Sequence, residues 1–415
     1  MKSATALIAF VVVACSALAQ TVTTSATVPI TLDHNRIIVD VYFPVPDGGK
    51  TRVRGWVDNG NADLWISGRL AKKLALQPVG SPAETSPEKP RKVQPPRELQ
   101  IGTMTVQLSG LKEATAVPGT VIGGGTSAEI NLPSTVLRNY DVVVDYPNRE
   151  FTIGAPGTIH FQGSPVKPNI NGQNGLIQIP GKIEGETHNL ALDLGATVSF
   201  ISSDLLPKWQ RAHPKWPHMT GAVGPANMWG MKDEASWEML RVPQIQYGGL
   251  TLKDVVVAPF PVKELDWFEK RAGVATIGLI GADALLKYRV GLDYGHSAVY
   301  FEQLSKMPPI NMDVVGLILH PEPDERYTLL GVADYEGKPS VPEVRVGDIL
   351  VSVDGGRAKG ATMGQVWSLL EGSPGTVRTL VLEREGKQFT VNAPVCRFLA
   401  PEAKKASSKA HARQR

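Results

Sequence analysis

Trp56-Val57-Asp58-Asn59-Gly60-Asn61-Ala62 returns later in the chain as Ala191-Leu192-Asp193-Leu194-Gly195-Ala196-Thr197. In both stretches an apolar run, Gly55 to Val57 or Leu190 to Leu192, ends on an aspartate, with Gly two positions further on. A strand entering Asp-x-Gly puts its carboxylate on a loop at a sheet edge, because the glycine permits a tight turn and close approach of another backbone. Either stretch alone reads as an ordinary turn. A second correspondence in the same order reverses that reading: Val136-Leu137-Arg138-Asn139-Tyr140-Asp141-Val142-Val143-Val144-Asp145-Tyr146 matches Leu285-Leu286-Lys287-Tyr288-Arg289-Val290-Gly291-Leu292-Asp293-Tyr294, with Tyr140 on Tyr288. Each reads as a short helix leading into a strand, a turn and a second strand, Arg149 to Ile153 and Ala298 to Phe301. The chain therefore carries an internal duplication with one loop aspartate per copy.

With 415 residues, 42% of them hydrophobic and 20% charged, the chain is globular and long enough for two or three cores. Its 41 Gly and 32 Pro, set between Val- and Ile-rich runs, predict a mainly β protein. Met1-Lys2, the apolar run Ala4 to Ala14 and Ala17-Leu18-Ala19-Gln20 read as a secretory signal (1–19) cut after Ala19, implying an exported protein, periplasmic or secreted. Val12-Val13-Ala14-Cys15 offers a second-ranked reading, lipidation at Cys15. With Cys15 removed only Cys396 remains, so no internal disulfide is expected. The net charge of +3 owes much to the tail, where Lys404, Lys405, Lys409, Arg413 and Arg415 face only Glu402. Residues 399–415 read as a solvated basic end, with no nucleic-acid binding inferred. No segment after the signal reaches membrane-spanning length.

Two carboxylates brought together from equivalent loops cannot both ionise, so they share a proton. One then acts as base on a bound water while the other donates to a substrate carbonyl, which hydrolyses an amide without metal, cofactor or covalent intermediate. On these residues the sequence resembles the retropepsin-like and pepsin-like aspartic proteases. Val57-Asp58-Asn59-Gly60-Asn61-Ala62-Asp63-Leu64-Trp65-Ile66 is similar to the first-lobe motif, and Leu192-Asp193-Leu194-Gly195-Ala196-Thr197 with Phe200-Ile201-Ser202 to the retropepsin one. Gly278-Leu279-Ile280-Gly281-Ala282-Asp283-Ala284-Leu285 is similar to the loop and helix that lie beneath the catalytic turn.

The resemblance implies two tandem acid-protease half-domains, 20–156 and 157–304, forming a pseudo-dimer that cleaves polypeptide. Asp58 and Asp193 would be catalytic, on turns formed by Asn59, Gly60, Leu194, Gly195 and Ala196. The family has Thr or Ser after each aspartate. Here Asn59 keeps a donor and Leu194 has none, while Glu129-Ile130-Asn131-Leu132-Pro133 stands where the second copy has Leu279-Ile280-Gly281. These departures leave open a second reading, a non-catalytic peptide-binding scaffold. The Gly-rich stretch Gly221-Ala222-Val223-Gly224-Pro225-Ala226-Asn227-Met228-Trp229-Gly230 resembles a flap hairpin, with Met228 and Trp229 placed to touch substrate; a plain surface hairpin is the alternative. Ser81 to Pro96 reads as an irregular loop.

Residues 305–398 have a different pattern. Arg345-Val346-Gly347-Asp348-Ile349-Leu350-Val351-Ser352-Val353-Asp354-Gly355, then a helix Met363 to Leu370 and strands Thr379 to Glu383 and Gln388 to Val391, resemble an α+β PDZ domain. Gly316, Leu317, Ile318 and Leu319 would then form the loop whose free N–H groups receive a peptide C-terminus. His213 and His218, the only other candidates for a metal site, read as a surface loop because no Cys or paired acids accompany them.

Overall fold

The computed structural model describes residues 24–80, 89–122, 128–306 and 312–400; the expected signal 1–19, Cys15 and the basic tail beyond Ala400 lie outside them. The protein is mainly β. The strand Asp141–Asp145 pairs antiparallel with Tyr288–Asp293, and these are the two duplicated strands. Val143 sits opposite Gly291, flanked by Asp141 opposite Asp293 and Asp145 opposite Arg289. In the repeat, Val143 is itself the equivalent of Gly291, Asp145 of Asp293 and Asp141 of Arg289. The register therefore maps onto itself, and a pseudo-two-fold axis runs between Val143 and Gly291.

Around this pair a six-stranded sheet runs in the order Ser25–Pro29, Glu150–Gly154, Asp141–Asp145, Tyr288–Asp293, Ala298–Gln303, Ser164–Val166. Alternate residues Val142, Val144, Phe151, Ile153, Val290, Leu292, Val299 and Phe301 are buried in one core, as the period of two requires. At the strand ends Arg289 pairs with Asp145 at 2.7 Å and Glu302 at 2.9 Å, tying the halves together across the axis.

Each copy then builds the same knot of strands around its aspartate. In the first, Lys50–Asp58 enters the turn and Trp65–Ser67 leaves it, and Ala128–Pro133 runs between them, parallel to the former and bridging Ile66 through Ile130. In the second, Gly278–Ile280 runs parallel to Glu186–Leu192 and antiparallel to Ser199–Ser202. Leu132 lies opposite Val57 just as Ile280 lies opposite Leu192. The first copy therefore has the supporting strand that its sequence conceals, with Pro133 in the place of Gly281. A methyl group on Gly281 would overlap the Val198 carbonyl, so the second copy needs glycine there. In the first, Pro133 closes the strand in an extended conformation and is the N-cap of the short helix Ser134–Leu137.

Residues 312–400 form a third unit. Five strands in the order Leu317–Pro321, Tyr327–Val332, Ile349–Val353, Val377–Arg384, Lys387–Pro394 carry the helix Met363–Leu370. Thr362 and Gln365 make a reciprocal capping box at its start, and Val366, Trp367 and Leu370 bury its inner face. Ile318 and Leu319 belong to the same apolar cluster as Ala222, Val223 and Met228 of the second copy, so this unit shares a core with its neighbour.

Candidate active site

Asp58 ends its strand and Asp193 follows the equivalent one, so the fold presents both carboxyls at the two-fold axis. The N–H groups of Gly195 and Ala196 donate to Asp193 Oδ1 at 2.8 and 3.1 Å, and that of Gly60, from the opposite turn, also reaches Asp193. A methyl group on Gly60 would overlap the Asp193 carboxylate, and one on Gly195 would come within 2.7 Å of Asp58 Oδ1. Each glycine is thus required by the aspartate of the other copy, which couples the two turns into one site.

Asn59 takes on the work of the missing hydroxyls. Its Nδ2 donates to the Leu192 carbonyl at 2.8 Å and its Oδ1 accepts from the Leu194 N–H at 2.7 Å, both across the axis. Leu194 returns nothing; it is fully buried in the main core, where a leucine side chain contributes roughly 1.5–3 kcal/mol. The cross-link is therefore one-sided. The structure brings together Asp58, Asn59, Gly60, Asp193, Leu194, Gly195 and Ala196.

Two further residues reach the site without a family signal. Asn131, fully buried, donates to Asp58 Oδ2 at 3.3 Å and to the Asp63 carbonyl at 3.0 Å, and accepts from the Trp65 N–H at 2.7 Å. Its trace in the sequence is a lone amide inside the apolar run Ile130-Asn131-Leu132. Arg36 is 1% exposed; its guanidinium donates to the Met228 carbonyl and is held by the charges of Asp33, Glu234 and Asp58.

Burial lifts the Asp58 carboxyl well above the usual carboxylate range and the charge of Asp193 adds to the rise, against Asn131, Asn61 and Arg36. Burial also lifts Asp193, to about 6, opposed by the three backbone N–H groups it accepts. The three N–H donors around Asp193 favour its anion, whereas Asp58 has the neighbouring charge of Asp193 against its own. If Asp193 acts as a general base, the rate of a reaction at the pair rises with pH through about 6, because the base must first lose its proton. It falls only where Asp58 deprotonates. A pH profile already at its plateau by pH 4 would contradict this assignment.

The 221–230 stretch lies in the connection between the antiparallel strands His218–Thr220 and Glu238–Tyr247. It contains a 3-10 turn at Gly224–Ala226, Met228 is 5% exposed, and the Trp229 ring packs 5.5 Å from Phe200 and 6.3 Å from Trp237. Glycine here serves close packing rather than a free tip: a methyl group on Gly230 would come within 2.9 Å of the Leu319 carbonyl in the C-terminal unit. Of the N–H groups expected to be free at 316–319, those of Leu317 and Leu319 are engaged. Leu317, Ile318 and Leu319 are fully buried, the Leu317 N–H donates to Val315, and that of Leu319 to Asn227 Oδ1 at 2.9 Å. His213 stacks on Trp216 and reaches Glu184 at 3.3 Å, and among the described residues no cluster of His, Cys, Asp and Glu could hold a metal.

Comparison of the sequence with protein-family models and with curated proteins found no match. Among solved structures, the aspartic proteinase from Irpex lacteus is similar at 13% identity over 68% of this chain and 98% of its own, with a TM-score of 0.38. The Basic 7S globulin from soybean is similar at 11% identity over 68% and 95%, with a TM-score of 0.39. No helix among the described residues is long and apolar enough to cross a membrane.

Proposed function

We propose that this chain is an exported aspartic endopeptidase in which Asp58 and Asp193 share one proton and activate one water against a peptide carbonyl. The observation that supports it most is the exchange between the turns, where each aspartate lies against the glycine of the other copy and Asn59 bonds across the axis. In this reading Asp193, stabilised by three N–H donors, takes the proton of the water. Asp58, whose Oδ2 is held by Asn131, donates from Oδ1 to the carbonyl oxygen. The C-terminal unit is PDZ-like in this proposal, and any polypeptide it receives at 316–319 has to displace Asn227.

A non-catalytic peptide-binding scaffold is the second reading, favoured by Leu194, which leaves half of the cross-link unmade. The two are separated by assaying the mature protein against a peptide library at pH 4 to 8. Cleavage that is insensitive to chelators and blocked by a statine-type peptide is expected. No cleavage at any pH, with the peptide still bound, would establish the scaffold.

A further inference from the structure

The face of the C-terminal unit between its edge strand Leu317–Pro321 and the start of the helix Met363–Leu370 is filled by two segments, Asp33 to Arg36 and Pro225 to Gly230, that also bond to the turn of Asp193. We propose that this face is the receptor of an intramolecular latch, which holds the site closed until the latch is released. The proposal rests on the reading of Asp58 and Asp193 as a hydrolytic pair.

An edge strand presents unpaired N–H and C=O groups that another strand can satisfy. Here a side chain does so: Asn227 Nδ2 donates to the Leu319 carbonyl at 3.0 Å, and Asn227 Oδ1 accepts from the Leu319 N–H at 2.9 Å. Beside it the Gly230 carbonyl accepts from His320 Nδ1 at 2.6 Å. At the helix, Asp33 Oδ1 accepts from Thr362 Oγ1 at 2.8 Å and from the Gly364 N–H at 3.0 Å, an anion at the positive end of the peptide dipoles. Gly364 leaves no space for a side chain, since its methyl group would overlap Asp33. His34 stacks on Trp367 and donates through Nε2 to the Asn227 carbonyl at 3.0 Å, joining the two anchors.

The same two segments hold the turn of Asp193 from the other side. Asn35 Nδ2 donates to the Thr197 carbonyl at 3.1 Å, Thr197 Oγ1 donates to the Pro225 carbonyl, and Arg36 donates to Met228. Asp58 is 2% exposed and Asp193 is partly exposed. In this proposal the bonds at the turn of Asp193 part before an extended polypeptide lies across both carboxyls. The anchors on the C-terminal unit lie outside the catalytic half-domains, which lets release be set without altering the dyad.

The test uses the full mature chain with three separate substitutions. Asn227→Ala and Gly364→Val break the latch from its two sides. His320→Ala removes one bond at a side chain 42% exposed, and serves if either of the others fails to fold by thermal melting. Two rates are measured, hydrogen exchange at the amides of 228–230 and association of a statine-type peptide. Both are expected to rise by about tenfold, the factor for one buried hydrogen-bonded contact of ~1.4 kcal/mol. Peptide hydrolysis rises with them. Faster exchange and association with no hydrolysis in any form would support the latch and sink the hydrolytic reading. Unchanged or slower exchange and association in the folded variants would overturn the latch.

Discussion

Asp58→Asn and Asp193→Asn are each expected to lower kcat/KM for peptide hydrolysis by at least about 10³-fold, with neither variant less stable than the wild type. The activity loss follows from the sharing: one carboxyl without its partner has either no base for water or no acid for the carbonyl. The stability result follows from burial. Asp58 is 2% exposed and faces Asp193, and both carboxyls are raised above the usual carboxylate range, so a charge on each is disfavoured. A neutral amide relieves that cost while keeping an acceptor for the Asn131 Nδ2 donor. Urea unfolding beside steady-state kinetics checks both halves. Activity retained by either variant would refute a shared pair; activity and stability lost together would indicate a structural network instead.

Asn59→Ala carries the second largest expected effect. It leaves the Leu192 carbonyl and the Leu194 N–H buried without their Asn59 partner, at about 1–3 kcal/mol each, so a loss of roughly 2–6 kcal/mol is expected by urea unfolding. The Leu194 side chain makes no reciprocal bond, so across the axis only the Gly60 N–H on Asp193 stands beside the bonds of Asn59. The turns loosen at the axis, and a misplacement of about an ångström at the carboxyls lowers kcat by on the order of 10². Asn59→Thr, which restores a hydroxyl able to bond across the axis, should recover part of both losses. Stability equal to wild type in Asn59→Ala would show that the main chain alone holds the turns together.

The duplication was legible because Asp-x-Gly and the paired Tyr140 and Tyr288 are local patterns in a fixed order, and the strand pairing of Asp141–Asp145 with Tyr288–Asp293 places them symmetrically. The supporting strand of the first copy was not legible, since Pro133 replaces the glycine that marks it in the second. Asn131 is one polar residue in an apolar run, and what it bonds to depends on a partner far along the chain. The bonds of the proposed latch left still less trace. Asp33, His34 and Asn227 are ordinary turn residues, and their partners Gly364, Trp367 and Leu319 come into reach only through tertiary packing. The glycines at 221–230 signalled a turn correctly, but the close approach they allow is to a neighbouring unit, which composition does not record.

The central claim is that two aspartates from two copies make one site. Calorimetric titration of the mature chain with a statine-type peptide tests it most directly, in the wild type and in the two single-aspartate variants. The account predicts one peptide per chain, bound with uptake or release of a proton as pH crosses about 6, and binding weakened by at least about 10²-fold in each variant. Two peptides per chain, or one bound equally well with either aspartate replaced, would contradict it.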